Sequence, residues 1–107
     1  MENQQTGRQV KGRQKVREKK EKDGGFEKYA VIMHNDNTTT MDFVVFVLQF
    51  VFFKSDGDAK ELMMSVHNNG SAKVGTYVYD LAISKVTKAM RIAAENKFPL
   101  KLTCEKE

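Results

Sequence analysis

The chain is poor in the residues that usually carry covalent or metal chemistry. It has one cysteine, Cys104, and two histidines, His34 and His67. A lone cysteine excludes an intramolecular disulfide and favours a reducing compartment. His34, His67, Asp36 and Cys104 are the only residues worth weighing as metal ligands, and none of them stands at a tight ligand spacing. Cys104 falls in an expected strand, and no histidine is placed by sequence to activate it. There is no Gly-rich phosphate loop. The longest apolar stretch, residues 43–53, falls well short of the about 20 residues a bilayer span needs, and the N-terminus lacks the apolar segment of a secretory signal. These absences lead us to expect a cytoplasmic protein that is not an enzyme, with no metal, no cofactor and no membrane partner.

What is present is a small soluble composition with an uneven charge. Of the 107 residues, 40% are hydrophobic and 30% charged, and the formal charge is +4. Residues 1–24 alone hold eight Lys/Arg and four Asp/Glu. The basic excess therefore sits in a tail, and the remainder is neutral, which weakens a nucleic-acid reading based on pI. Residues 1–25 carry almost no apolar side chains and end in Gly24-Gly25. They are expected to be a disordered basic extension, either a solvated solubility tail or a tether that a partner grips. Residues 26–107 are expected to form one core domain.

Periodicity gives the order of elements in that core. Residues 26–33, FEKYAVIM, read as a strand, with Val31 and Met33 on one face. A polar loop, 34–40, follows. Thr39 stands three residues before Asp42, resembling a capping box, and predicts a helix from about Met41 to Phe53. Its β-branched residues leave a strand possible, but length and cap favour the helix. Val44, Leu48 and Val51 make one face and Phe43, Val47 and Phe50 another, which leaves Phe46 and Phe53 over. Ser55 and Asp58 repeat the cap for a second helix with the stripe Ala59, Leu62, Met63, Val66, closed at Gly70. Residues 72–79 read as a strand with Val74, Thr76 and Val78 on one face and Tyr77 and Tyr79 on the other. Asp80 opens a third helix with the stripe Ala82, Val86, Ala89, Met90, Ala93, ended by Asn96 and Pro99. A closing strand alternates Leu100, Leu102 and Cys104. The predicted fold class is α+β: a β-α-α-β-α-β domain with three helices on one face of a three-stranded antiparallel sheet.

The short link after the first helix forces a helical hairpin. That hairpin brings the loop before the first helix toward the end of the second, and gathers Asn35, Asp36 and His67 above Met41, Val44, Met63 and Val66. An amide oxygen, a carboxylate and a neutral imidazole are all acceptors. Three acceptors over an apolar floor suit a primary ammonium attached to a bulky hydrophobic group, that is, a free peptide N-terminus with a large first side chain. The bland reading stays open beside it, with His67 a structural helix-end residue, Asn35 and Asp36 turn residues and the methionines core.

The segment Tyr29–Glu107 resembles the bacterial ClpS adaptor family. The resemblance rests on Asn35-Asp36, Met41 through Leu48-Gln49, Leu62-Met63 to Val66-His67, Gly70, Gly75, Lys85, Ala94-Glu95-Asn96 and Pro99-Leu100. It implies an adaptor that binds N-degrons beginning with Phe, Tyr, Trp or Leu and docks on the N-terminal domain of a ClpA-type AAA+ ATPase, for degradation by ClpP. It further implies that Asn35, Asp36 and His67 hold the α-amino group and that Thr39, Met41, Val44, Met63, Val66 and Leu100 line the side-chain pocket. Met41 would gate against β-branched residues, and Lys85 and Asp80 would meet the ATPase. A monomer is expected. The chain departs from the family at Asn37, where a second aspartate is usual, at Thr38 and Thr40, at Ile83, and at Phe46 and Phe50. Asn37 implies a weaker amino-group site and Thr40 a looser gate. The competing reading is a basic-tailed nucleic-acid or ribosome-associated protein, bound through residues 1–24.

Overall fold

Seven residues of alternating character, KYAVIMH, make the central strand of the sheet. In the computed structural model, which describes residues 27–107, β1 (Lys28–His34) is followed by α1 (Met41–Phe50), α2 (Asp56–Asn69), β2 (Ser71–Val78), α3 (Tyr79–Glu95) and β3 (Lys101–Lys106). The expected disorder of residues 1–25 lies outside the described residues. β1 pairs antiparallel with β2 on one side and β3 on the other, giving the order β2-β1-β3. Val31 and Met33 are fully buried under the helices and join Val44, Val47, Leu48, Val66, Ala82, Ala89, Ala93 and Leu102 in one core. Three alanines on α3 keep its buried stripe shallow, so that the helix backbone lies close against the sheet.

The face assignment of β2 needs correcting. Val31 pairs with Gly75 but Ile32 pairs with Lys73, so Val74 is an extra residue in the ladder. A bulge shifts the inward–outward alternation by one. Val74 and Tyr77, three apart, consequently both pack on the core, and Thr76 turns outward toward Glu107. Tyr77 lies across Gly75: a Cβ there would sit 2.7 Å from the tyrosine oxygen and 3.0 Å from the ring. Any side chain at 75 would have to push the Tyr77 ring aside.

The ends of α1 also differ from the sequence reading. The cap is Thr40, whose hydroxyl accepts from the Phe43 N–H at 3.2 Å, because the Thr39 hydroxyl is drawn to Asp36 instead. The helix stops at Phe50, three residues early, where the chain turns and Phe53 takes a left-handed φ of 57°. The Lys54 N–H then reaches back to the Leu48 carbonyl at 3.1 Å. Phe50 does not share the burial of Val47. It is 49% exposed, beside Phe46 at 45% and Phe53 at 77%, while Phe52 is the ring that goes inward. α2 follows expectation. Ser55 accepts from the Asp58 N–H at 3.1 Å, and Gly70 closes the helix at a φ of 89°. On α3, Met90 leaves the expected stripe for the surface.

Candidate functional site

The site is assembled by one backbone hydrogen bond. The chain leaves β1 at His34, and the next N–H, that of Asn35, donates to the carbonyl of Gly70 at 2.9 Å. Gly70 is the left-handed cap of α2, and its own N–H donates to the Val66 carbonyl at 3.0 Å. The loop before α1 is thereby fastened to the last turn of α2, the turn that carries His67.

Asp36 shapes that loop from within. One carboxylate oxygen accepts the N–H groups of Thr38 at 2.8 Å and Thr39 at 2.7 Å, and the other accepts the Thr39 hydroxyl at 2.7 Å. Burial pushes the carboxyl pKa up, but the three hydrogen bonds from Thr39 and Thr38 outweigh it, and Asp36 titrates below its ordinary value. A carboxylate offers about four acceptor positions, so Asp36 keeps both its charge and one unused lone pair on the oxygen that accepts the Thr39 hydroxyl.

These elements enclose a cavity of about 240 Å³ lined by Asn35, Asp36, Asn37, Thr39, Met41, Val44, Met63, Val66 and His67. Polar groups form one side, and Val44 and Val66, both buried, form the floor. Met41 is 42% exposed at the first residue of α1. An engineered apolar cavity of about 150 Å³ admits benzene, so this volume accommodates one large side chain. Asn37 belongs to the lining although the sequence reading left it out of the site. Its place two residues after Asn35 on the same loop was the available signal. Leu100 is absent from that lining and is 4% exposed within the core cluster that also holds Val44 and Val66.

The remaining candidates sit elsewhere. Lys85 is half-buried, with its ammonium donating to the Val51 carbonyl at 2.9 Å and lying 4.6 Å from the Phe53 ring centroid and 5.5 Å from that of Tyr77. Burial, and then the charge of Lys88, push its pKa down. Lys85 thus supplies the cation that the last turn of α1 lacks in its own sequence. Asp80 is exposed in the first turn of α3. His34 is 2.8 Å from the Thr103 hydroxyl and is not among the cavity-lining residues. Burial pushes the Cys104 thiol up, away from the reactive thiolate. Among the described residues no three His, Cys, Asp or Glu side chains gather at one point, and no described helix is long and apolar enough to cross a membrane. A second cleft, of about 610 Å³, lies between α3 and β3, and its lining carries no formal charge.

The chain is similar to known proteins over most of its length. The family model described as ATP-dependent Clp protease adaptor protein ClpS matches residues 25–103. The ATP-dependent Clp protease adapter protein ClpS of Myxococcus xanthus is 48% identical over 79 residues, 74% of each chain. That of Acetivibrio thermocellus is 47% identical over 92 residues, 83% of this chain and 93% of the relative. Among solved structures, Agrobacterium tumefaciens ClpS2 bound to L-phenylalaninamide superposes with a TM-score of 0.74 at 37% identity, covering 76% of this chain and 98% of that one. The family match over residues 25–103, relatives at 47–48% identity over most of the chain, and a fold shared with ClpS2 place the chain in the ClpS family of Clp protease adaptors.

Proposed function

We propose that this chain is a non-enzymatic adaptor that captures the free N-terminus of proteins beginning with Phe, Tyr, Trp or Leu and delivers them to a ClpA-type ATPase for degradation by ClpP. The observation that carries the reading is the single cavity in which the Asn35 amide, the Asp36 carboxylate and the His67 imidazole share a lining with Met41, Val44, Met63 and Val66. An α-ammonium has three N–H donors, and three acceptors of the right kind stand at the rim. The spare lone pair of Asp36 takes one. The Asn35 amide oxygen and an unprotonated ring nitrogen of His67 take the others. The side chain of the first residue enters the space above Val44 and Val66, and Met41 stands where a methyl branch at Cβ would meet it.

The magnitudes are sufficient. Hydrogen bonds to a charged group contribute roughly 1.5–3 kcal/mol each, and burying about 150 Å² of side chain adds roughly 4 kcal/mol. After the cost of association, this supports micromolar binding or somewhat tighter. Relatives named as adapter proteins, and a solved ClpS2 holding a phenylalanine derivative, support the same reading. Lys85 and Asp80 are proposed to meet the N-terminal domain of the ATPase, with Asp80 the more accessible of the two. We also infer a cytoplasmic monomer. The competing nucleic-acid reading rests on residues 1–24 alone, since the core is neutral.

The test is a fluorescence titration with a short peptide beginning with Phe, run beside the same peptide acetylated at its N-terminus. Acetylation is expected to abolish binding, and equal affinity for the two peptides refutes the reading. Deleting residues 1–24 should leave peptide binding intact while abolishing delivery.

A further inference from the structure

α1 carries aromatic surface that its own packing does not use. Phe46 and Phe50, one turn apart, are nearly half exposed and stack at 5.3 Å with ring planes 11° apart. The stack continues inward from Phe46 to Phe43 at 6.0 Å and from Phe43 to Phe98 at 4.8 Å. The two exposed rings are therefore the outer end of a ladder rooted in the core, and they are held in place. The ammonium of Lys88, reaching across from α3, lies 4.9 Å from the Phe50 centroid. Among the described residues no carboxylate pairs with it. On a helix with 100° per residue, Phe46 and Phe50 sit roughly 200–240° around from Val44, so this face and the cavity lie on opposite sides of α1.

Three kinds of occupant can be weighed. A second copy of the chain fits poorly. At about 200 Å² per phenylalanine, the exposed parts of Phe46 and Phe50 amount to roughly 190 Å², enough for a weak contact with a short segment but far below the about 800 Å² per partner of a stable dimer interface. A two-fold pairing would also bring the Lys88 charges of both copies toward one another. The chain's own N-terminal tail fits no better, since residues 1–24 carry a net positive charge and almost no apolar side chains. Charge complementarity leaves an acidic partner. We propose that the Phe46–Phe50 face, with Lys88, is a docking surface for a protein segment that presents a carboxylate beside an aromatic or aliphatic side chain. The apolar side chain lies on the stacked rings and the carboxylate pairs with the Lys88 ammonium. Because the cavity is on the far side of α1, both sites can be filled at once.

The probe is a fluorescein-labelled twelve-residue peptide containing Glu, Phe and Leu, acetylated so that it cannot use the α-amino site, alongside a version with every Glu replaced by Lys. Each is titrated against the full chain. The acidic peptide is expected to bind at least tenfold more tightly than its lysine counterpart and to weaken with added salt. Phe50→Ser and Lys88→Glu are each expected to weaken it at least fivefold while leaving binding of an unacetylated Phe peptide within twofold, which also shows that both variants are folded. Equal binding of the two probes, no binding of the acidic one, or acidic binding unchanged by both substitutions overturns the proposal. So does sedimentation showing a concentration-dependent dimer that Phe50→Ser abolishes, because the occupant is then a second copy.

Discussion

Replacing Asp36 by asparagine separates the two tasks its carboxylate performs. Asparagine keeps an oxygen where the N–H groups of Thr38 and Thr39 converge, at 2.8 and 2.7 Å in the native loop. Its amide nitrogen faces the Thr39 hydroxyl, which can rotate to accept. The loop should therefore persist, at a cost of about 1 kcal/mol or less. What disappears is the negative charge and the spare lone pair. Loss of one charge-assisted hydrogen bond to an ammonium is worth roughly 1.5–2 kcal/mol, and about 1.4 kcal/mol is tenfold in affinity. Asp36→Asn should weaken binding of an N-terminal Phe peptide ten- to thirtyfold while lowering the melting temperature by only a few degrees. Asp36→Ala loses all three loop bonds as well, and should lower both affinity and melting temperature further. Isothermal titration and thermal melts of the three proteins decide the matter. If Asp36→Asn binds within twofold of the parent, the carboxylate is a loop organiser only. Acid adds a control, because the Asp36 pKa is depressed below its ordinary value near 3.8 in the folded protein. Its stabilising contribution is then complete above that value and lost as pH falls through the folded pKa, so the parent and Asp36→Ala should draw together in stability only once the pH is below that ordinary value.

Met41→Ala opens the mouth of the cavity and should narrow the Leu-over-Ile preference of N-terminal peptides at least fivefold, measured by competition; an unchanged ratio removes Met41 from the gating role. Gly70→Ala places a side chain at a φ of 89° and should cost about 1 kcal/mol, seen as a drop of about 4–8 °C in melting temperature, and it should weaken peptide binding too, since Asn35 is anchored on that carbonyl. Gly75→Ala drives a methyl into the Tyr77 ring and should cost about 1–3 kcal/mol. Tyr77→Ala should partly relieve the added cost in a double-mutant cycle, and strict additivity argues against the contact.

Where local chemistry and tertiary context agreed, the sequence was readable. α2 is the clearest case: Ser55, Asp58, the Ala59–Val66 stripe and Gly70 each signal the same helix, and all take the expected places. The sheet and the helical hairpin followed from element order and short links. That the 34–40 loop and the end of α2 would meet was also inferable, and Asn35, Asp36 and His67 line one cavity. The misses share a cause, which is that a distant or looped partner outbid a local signal. Thr39 had the spacing of a cap, but Asp36 took its hydroxyl and left the cap to Thr40. Nothing in AKVGTYVY marks the bulge at Val74, which is set by pairing with β1. α1 ends at Phe50 without a glycine, the carbonyl of Val51 being satisfied by Lys85 from another helix.

The 2.9 Å link between Asn35 and Gly70 lies immediately beyond the point where His34 pairs with Ser71 at the end of the β1–β2 ladder. The first residue of the cavity-lining loop is in effect one more rung of the sheet. Opening it means fraying the strands, so hydrogen exchange at the Asn35 amide should report the same event as exchange in the neighbouring ladder. A captured N-terminus would then slow exchange across that whole corner of the domain, well beyond the groups it touches.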